Sequence, residues 1–255
     1  MTPAIVLEKV GKTYDGAAVL AGASLSIARG QYVALVGGSG AGKTTLLKTI
    51  NALIVPTTGR VLVDGQDVAA QPGPALRRRI GYVFQEVGLF PHLTVAQNIG
   101  ITPSLLAWPA PRIAARVETL LDLVDLPREL ASRLPAALSG GQRQRVGVAR
   151  ALAAEPSILL MDEPFGALDP VTRVALAEDV RRLHETLGLT TVMVTHDVGE
   201  ALLLADVVVV MADGAIIAQG SPAALLTATH ADPRVAALID APRRQAQKLA
   251  GLIHG

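Results

Sequence analysis

The apolar residues of this chain fall into short, uninterrupted runs. QYVALV (31–36), SILLMD (157–162) and TTVMVT (190–195) show no polar alternation, which predicts strands buried on both faces. Less regular runs at 60–65 and 79–84 predict two further strands. Because these runs alternate with segments of helical spacing, the sequence predicts an α/β fold.

Helical spacing occurs between the predicted strands. It predicts helices over 43–53, 171–187 and 198–204. Near the end of the chain, DVVVVMADGAIIAQG predicts a β-hairpin that turns at Asp213 and Gly214.

The middle of the chain is different, because residues 94–154 are predicted to be mostly helical. Breaks are expected at TPSLLAWPAP (102–111) and around Pro127 and Pro135. This helical segment is therefore inserted between strands of one sheet. The tail, 240–255, predicts an amphipathic helix.

Composition narrows the class of protein. The 255 residues are 50% hydrophobic but only 3% aromatic, they carry a net charge of +1, and they include no cysteine. Nothing in this balance favours a nucleic-acid partner, and RRR (77–79) is expected to be a solvated face. The absence of cysteine excludes a disulfide framework and agrees with a reducing compartment.

Neither a secretory signal nor a membrane span is expected. Glu8 and Lys9 are charged where a signal peptide needs its apolar region, and the most apolar run, 201–212, is short and contains Asp206. If the protein works at a membrane, a partner must hold it there.

A phosphate-binding motif lies between a predicted strand and a predicted helix. GGSGAGKT (37–44) fits G-x-x-x-x-G-K-[ST], in which backbone N–H groups and a helix N-terminus surround phosphate oxygens. Lys43 is predicted to reach the β- and γ-phosphates and Thr44 to bind Mg²⁺. The alternative is a glycine-rich turn that only opens a helix. The predicted nucleotide-binding residues here are Gly37, Gly38, Ser39, Gly40, Ala41, Gly42, Lys43, Thr44 and Thr45.

Two carboxylates follow the buried run SILLM. Asp162 and Glu163 emerge at the carboxyl end of that strand, where α/β sheets bind ligands. Asp162 is placed to hold the Mg²⁺ shell, and Glu163 to polarise a water for attack on the γ-phosphate. The alternative is a solvated strand end.

A second anion-binding helix start occurs in LSGGQRQRVGVARALAAEP (138–156). Ser139, Gly140 and Gly141 precede a predicted helix, but no lysine accompanies them, so they form no complete nucleotide site. Taken alone, the SGG stretch is more typical of a helix cap. Its first five residues, LSGGQ, resemble the signature motif of the ATP-binding cassette (ABC) ATPases, and the resemblance covers nearly the whole chain.

The resemblance implies roles for further residues. It implies that Gln85 contacts Mg²⁺ and the attacking water, that His196 contacts the γ-phosphate, and that Tyr14 stacks on adenine. The catalytic residues implied in this way are Glu163, His196, Gln85 and Lys43, and the Mg²⁺ ligands are Thr44, Gln85 and Asp162.

A head-to-tail dimer is also implied by the resemblance. In this family the signature faces the γ-phosphate of an ATP held by the other subunit. That role falls here on Ser139, Gly140, Gly141 and Gln142. Asp169, in the ALD element (167–169), resembles the residue that contacts the opposite subunit.

The loop after Gln85 is expected to meet a membrane partner. The resemblance places GLFPHLT (88–94) against a permease subunit, so apolar Leu89 and Phe90 would form a docking surface stiffened by Pro91. The alternative is that both side chains pack into their own helical segment. The implied location is the cytoplasmic face of the inner (plasma) membrane, peripherally bound, with an extracytoplasmic substrate-binding protein as an indirect partner.

The sequences of three stretches indicate a subfamily. RIGYVFQEVGLFPHLTVAQNI, PSLLAW (103–108) and ALDPVTR resemble the ATPases of osmoprotectant importers for glycine betaine, choline, carnitine or proline. The alternatives are another cargo (methionine, phosphonate, nitrate or sulfonate, or lipid) or a non-transport ABC protein. Because the chain ends at Gly255, regulation by paired CBS modules is not expected.

The resemblance also implies a fold. A P-loop NTPase core with a mixed sheet and flanking helices, including an N-terminal antiparallel β part, is expected over 1–90 and 155–230. A helical signature subdomain is expected over 91–154, and a helical tail over 231–255.

Overall fold

The computed structural model describes the backbone of residues 3–254 and the side chains of 3–244, 247 and 248. In chain order, the strands of this described part are Ile5–Tyr14 (β1), Ala17–Ile27 (β2), Tyr32–Val36 (β3), Thr58–Val63 (β4), Gln66–Asp67 (β5), Ile80–Val83 (β6), Ile158–Asp162 (β7), Thr190–Val194 (β8), Val207–Ala212 (β9) and Ala215–Gly220 (β10). Its helices are Lys43–Ile50 (α1), Gly73–Arg78 (α2), Val95–Leu105 (α3), Ala110–Leu123 (α4), Gly140–Leu152 (α5), Pro170–Leu187 (α6), Val198–Leu204 (α7), Pro222–Thr227 (α8) and Pro233–His254 (α9).

The larger sheet has six strands in the order β10-β9-β3-β8-β7-β6. From β9 to β6 all neighbours are parallel, and β10 adds an antiparallel edge through the predicted hairpin. Every residue of β3, β7 and β8 is buried, as their unbroken apolar runs predicted. The prediction of an α/β fold is confirmed.

The smaller sheet is antiparallel, in the order β2-β1-β4-β5. Its first hairpin turns at Asp15 and Gly16, which both have positive φ (47° and 83°), as a two-residue turn of this kind requires. Its inner face packs with one face of α1 around Leu46 and Leu47. This sheet is the antiparallel part expected near the N-terminus.

The helical insertion lies between two neighbouring strands, because β6 pairs directly with β7 while α3, α4 and α5 intervene in sequence. These three helices pack against one another around a shared apolar cluster. The division of the chain into core, helical subdomain and tail stays a prediction.

Two predicted helix boundaries were wrong. α1 ends at Ile50 and not at residue 53, because Ala52 adopts a left-handed backbone (φ 53°). α3 continues through Pro103 to Leu105, because a proline so near the helix end removes only one backbone hydrogen bond. The tail helix α9 begins at Pro233, close to the start of the helical tail expected over 231–255 and earlier than the amphipathic stretch over 240–255. Gly255 lies outside the described residues.

Across residues 3–254, no helix combines the length and the apolarity needed to cross a membrane.

One buried histidine makes the core sensitive to pH. His184 on α6 has its Nδ1 2.9 Å from Thr191 Oγ1, and its ring packs edge-on against Tyr32 with centroids 5.1 Å apart. Burial, followed by the charge of Arg181, lowers the pKa of His184. The folded chain therefore favours the neutral imidazole.

We predict that acid weakens the fold through His184. Because its pKa is lower in the folded than in the unfolded chain, its contribution to the free energy of unfolding is complete above about pH 6.5. That contribution is lost as the pH falls towards the folded-state pKa. His184→Asn should flatten the dependence of stability on pH in this window, measured by urea unfolding at a series of pH values. The exposed His92→Asn is the control, and an unchanged slope in His184→Asn would contradict the prediction.

Candidate active site

The loop between β3 and α1 has a backbone that requires glycine at defined positions. Gly37, Gly40 and Gly42 have φ values of 148°, 77° and 90°. A Cβ atom at Gly37 would lie 2.1 Å from the Met211 carbonyl oxygen, and one at Gly42 would lie 2.7 Å from that of Val19. The loop is therefore pressed against two neighbouring strands, and larger residues would displace it.

Lys43 is a buried cation at the base of this loop. It is only 8% exposed, and its Nζ donates to the carbonyl oxygens of Gly37 (2.8 Å) and Gly38 (2.9 Å). Burial lowers the pKa of Lys43, an effect that Glu163 and Asp162 oppose. The loop borders a cavity of about 240 Å³ at the positive N-terminal end of α1. A buried ammonium group with neutral carbonyl partners in such a cradle fits an anion.

A hydroxyl and a carboxylate meet beside this cradle. Thr44 Oγ1 donates to Asp162 Oδ1 at 2.7 Å, which joins α1 to the end of β7. Two hard oxygen donors at this spacing are the ligand type that Mg²⁺ prefers, so the residues present fit that ion.

Two further residues contact Asp162, and the sequence did not predict either of them as part of the site. The Tyr82 hydroxyl donates to Asp162 Oδ2 at 3.3 Å, and Lys48 Nζ lies 3.8 Å from the same oxygen. Burial and then Asp162 raise the pKa of Tyr82, which keeps its hydroxyl a donor. The spacing of Lys48, four residues after Thr44 on one helix face, was the signal that could have identified it.

Glu163 is the centre of a second cluster. Its Oε2 accepts from Gln85 Nε2 at 3.0 Å and lies 3.3 Å from His196 Nδ1. Its backbone has φ 46°, an uncommon conformation for glutamate, and its N–H donates to the Val194 carbonyl at 2.9 Å. Three predicted site residues that are far apart in sequence thus meet at one carboxylate oxygen.

The signature residues open α5 as a capping box. Ser139 Oγ accepts from the Gln142 N–H (3.2 Å), and Gln142 Oε1 accepts from the Ser139 N–H (2.9 Å). Gly141 is required by close packing, since its Cβ would lie 2.6 Å from Thr172 Cγ2 on α6. These hydrogen bonds join the signature to itself, and among the described residues it does not line the cavity at the phosphate loop.

Tyr14 and Asp169 also lie apart from the cavity. Tyr14 is 44% exposed at the end of β1, with Lys12 Nζ 4.9 Å from its ring centre, whereas Val19 lines the cavity. Asp169 caps α6 by accepting from the Thr172 N–H at 3.1 Å. That hydrogen bonding to Thr172 lowers the pKa of Asp169.

The loop after Gln85 borders a groove of about 760 Å³ between the strand edge and the helical insertion. Phe90 is 42% exposed along it, while Leu89 is half-buried and packs against the core. Leu89 therefore follows the packing alternative, and docking through Phe90 stays a prediction. Trp108 is covered by the Arg112 guanidinium, 3.4 Å from its ring centre, which is ordinary packing within the helical segment.

A family model described as ABC transporter matches residues 20–166, more than half of the chain. The chain belongs to the ABC transporter family. The Bacillus subtilis relative named glycine betaine/carnitine/choline transport ATP-binding protein OpuCA is 50% identical to this ABC chain over 221 residues, 86% of this chain and 58% of that protein. The Thermosynechococcus vestitus relative named sulfate/thiosulfate import ATP-binding protein CysA is 49% identical over 219 residues, 86% of this chain and 64% of that protein. The chain thus spans little more than half the length of the OpuCA relative.

Solved structures agree with the family assignment. The ATP-binding cassette MJ0796, in a dimeric post-hydrolysis state with ADP and Pi, matches with a TM-score of 0.78 and 33% identity. The match covers 86% of this chain and 98% of that one. The prediction of an ABC ATPase fold is confirmed.

We predict that Gly37→Ala and Gly38→Ala differ sharply in stability. The Gly37 Cβ would overlap the Met211 carbonyl at positive φ, whereas a Cβ at Gly38 meets nothing within 4 Å. Gly37→Ala should therefore cost on the order of 2 kcal/mol or more, and Gly38→Ala less than about 1 kcal/mol. Chemical unfolding of both variants without nucleotide measures this, and equal stabilities would show that the clash does not occur.

Proposed function

We propose that this chain is the ATP-binding and ATP-hydrolysing subunit of an ABC importer. In this proposal it energises transport of a quaternary-amine osmoprotectant through a separate membrane subunit. The observation that carries the proposal is the convergence of Thr44 with Asp162, and of Gln85 and His196 with Glu163, beside a glycine-rich phosphate cradle. The named relatives supply the transport class.

Nucleotide binding is assigned to the loop over 37–45. Its N–H groups and Lys43 would hold the β- and γ-phosphates, and Tyr14 would stack on adenine from the end of β1. Thr44, Asp162 and Gln85 would hold Mg²⁺, which when bound supplies positive charge against the phosphate oxygens.

Hydrolysis is assigned to the cluster around Glu163. Its carboxylate would accept hydrogen-bonding from a water and polarise it towards the γ-phosphorus. Gln85 and His196 both contact the same carboxylate oxygen, at 3.0 and 3.3 Å, and would hold the carboxylate in place for that role.

A second copy of the chain would complete each site. Ser139 and Gly140 are exposed at the start of a capped helix, where N–H groups are available to an anion. Because the signature does not line the cavity of its own chain, a head-to-tail partner could present it to the γ-phosphate, with Asp169 at the contact. The dimeric cassette among the solved relatives supports this arrangement.

The groove beside Phe90 is the proposed contact with the permease subunits, at the cytoplasmic face of the inner membrane. Phe84 and Leu105 add exposed apolar surface along the same groove. A substrate-binding protein outside the membrane would act on the permease and not on this chain. No nucleic-acid partner is proposed.

The cargo class depends on the relatives. A relative named for glycine betaine, carnitine and choline is 50% identical, which favours a quaternary amine. The second candidate is an oxyanion such as sulfate, because a relative named for sulfate and thiosulfate is 49% identical.

We predict that Glu163→Gln lowers kcat for ATP hydrolysis by about a hundredfold or more, because an amide cannot take up a proton from water. ATP binding should persist, and a dimer should accumulate with ATP, measured by phosphate release and light scattering. The control is Glu178→Gln on the exposed side of α6, which should hydrolyse ATP like the wild type. Normal turnover in Glu163→Gln would exclude Glu163 from the proposed role.

We predict that the tagged chain, purified from native membranes in mild detergent, brings down an integral membrane subunit. Vesicles reconstituted from that complex should take up labelled glycine betaine or choline when ATP is enclosed with the chain. Uptake of sulfate would instead support the second candidate. Recovery of ribosomal or DNA-repair proteins without a membrane subunit would contradict the transport function.

A further inference from the structure

A buried arginine grips the loop that follows Gln85. Arg150 lies near the end of α5 and is 9% exposed. Its Nη1 donates to the Gly88 carbonyl and its Nη2 to the Val87 carbonyl, each at 2.7 Å. Two short bonds from one planar guanidinium to successive carbonyls fix both the place and the orientation of that peptide segment.

Arg150 is a cation in a buried environment that opposes its charge. Burial lowers its pKa, and no carboxylate of the described residues contributes to that shift. Within the described part of the chain, the carbonyls of Val87 and Gly88 are its hydrogen-bond acceptors. If the loop moved away from α5, the buried guanidinium would lose both acceptors. Because an unpaired buried charge is costly, this separation of loop and helix is unfavourable.

Close packing reinforces the same junction. A Cβ on Gly147, one turn before Arg150, would lie 2.9 Å from Val87 Cγ1, so α5 lies directly against the loop. At the far end of the loop, the fully buried Asn98 accepts from the Phe90 N–H at 2.8 Å and donates to the Phe90 carbonyl at 3.1 Å. The segment after Gln85 is thus fastened to two helices of the insertion.

α5 connects this junction to the signature. Its first turn is capped by Ser139 and Gln142, and Arg150 follows about 15 Å further along the helix axis. A single helix transmits a displacement of one end to the other with little bending. A movement of the signature segment would therefore reach the loop at Val87 and Gly88.

We propose that Arg150 is a positioning residue that fastens the Gln85 loop to the signature helix. In this role it holds Gln85 against Glu163 and makes loop and signature move as one body. The fastening of the loop to α5 is inferred from the contacts of Arg150. The effect on hydrolysis rests on the function proposed above.

The test compares three variants. Arg150→Met removes the guanidinium, and Arg150→Lys keeps the charge with fewer directed donors. The matched control is Arg116→Met. Arg116 is half-buried and also donates to two carbonyls, those of Leu152 (2.9 Å) and Ala153 (3.4 Å), but it does not contact the loop.

Hydrogen exchange of the full-length protein without nucleotide measures the grip itself. Backbone amides of 86–90 should exchange at least about tenfold faster in Arg150→Met and by an intermediate factor in Arg150→Lys. They should be unchanged in Arg116→Met. Because no ATP is present, this result does not depend on whether the chain hydrolyses ATP.

Steady-state ATP hydrolysis measures the positioning. In Arg150→Met, kcat should fall by about tenfold while KM for ATP stays within about twofold, since Lys43 and Thr44 are not disturbed. Arg150→Lys should recover part of kcat. The proposal is overturned if exchange at 86–90 is unchanged, if exchange rises while kcat stays at the wild-type value, or if Arg116→Met loses kcat equally. If Arg150→Met fails to fold, the exchange rates at 86–90 and the kcat of Arg150→Lys test the proposal instead. A wild-type chain without ATPase activity would refute the proposed function and leave the exchange result to stand.

Discussion

The parallel pairing of β6, β7 and β8 is the constraint on which the site depends. In a parallel sheet every strand ends at the same edge, so whatever follows each strand is brought together there. Gln85 follows β6, Glu163 follows β7 and His196 follows β8, and the three meet although more than a hundred residues separate the first from the last. Asp162, the last residue of β7, lies at the same edge.

The same edge explains the shape of the phosphate loop. β3 lies beside β8 and β9, and the Met211 carbonyl of β9 occupies the space that a side chain at Gly37 would need. The loop is therefore shaped by its neighbours as much as by its own glycines. Lys43 adds to this by donating hydrogen bonds to the carbonyls of Gly37 and Gly38 within the loop.

Local sequence predicted the elements and the residues that belong to short motifs. The buried strands, the phosphate loop and the carboxylates Asp162 and Glu163 were all identifiable, because apolar runs and glycine spacing act over a few residues. The contact of Gln85 with Glu163 depends on strand order, which no local pattern contains. Arg150 was missed for the same reason: its partners are 62 and 63 residues away in sequence, and a lone arginine in a helix gives no signal. The continuation of α3 through Pro103 shows packing overriding a local preference.

Glu163 lies in a strained backbone conformation that lowers the stability of the fold. Its φ of 46° suits glycine better than any residue with a side chain, so the carboxylate is present in a backbone conformation that opposes it, by an energy on the order of 1 kcal/mol. The hydrogen bond to Val194 and the contacts with Gln85 and His196 offset this strain. Strain is thus held at the position to which the proposed function assigns hydrolysis. A glycine at this position would relax the main chain. Stability of the fold therefore favours glycine here, whereas the proposed hydrolysis requires the carboxylate.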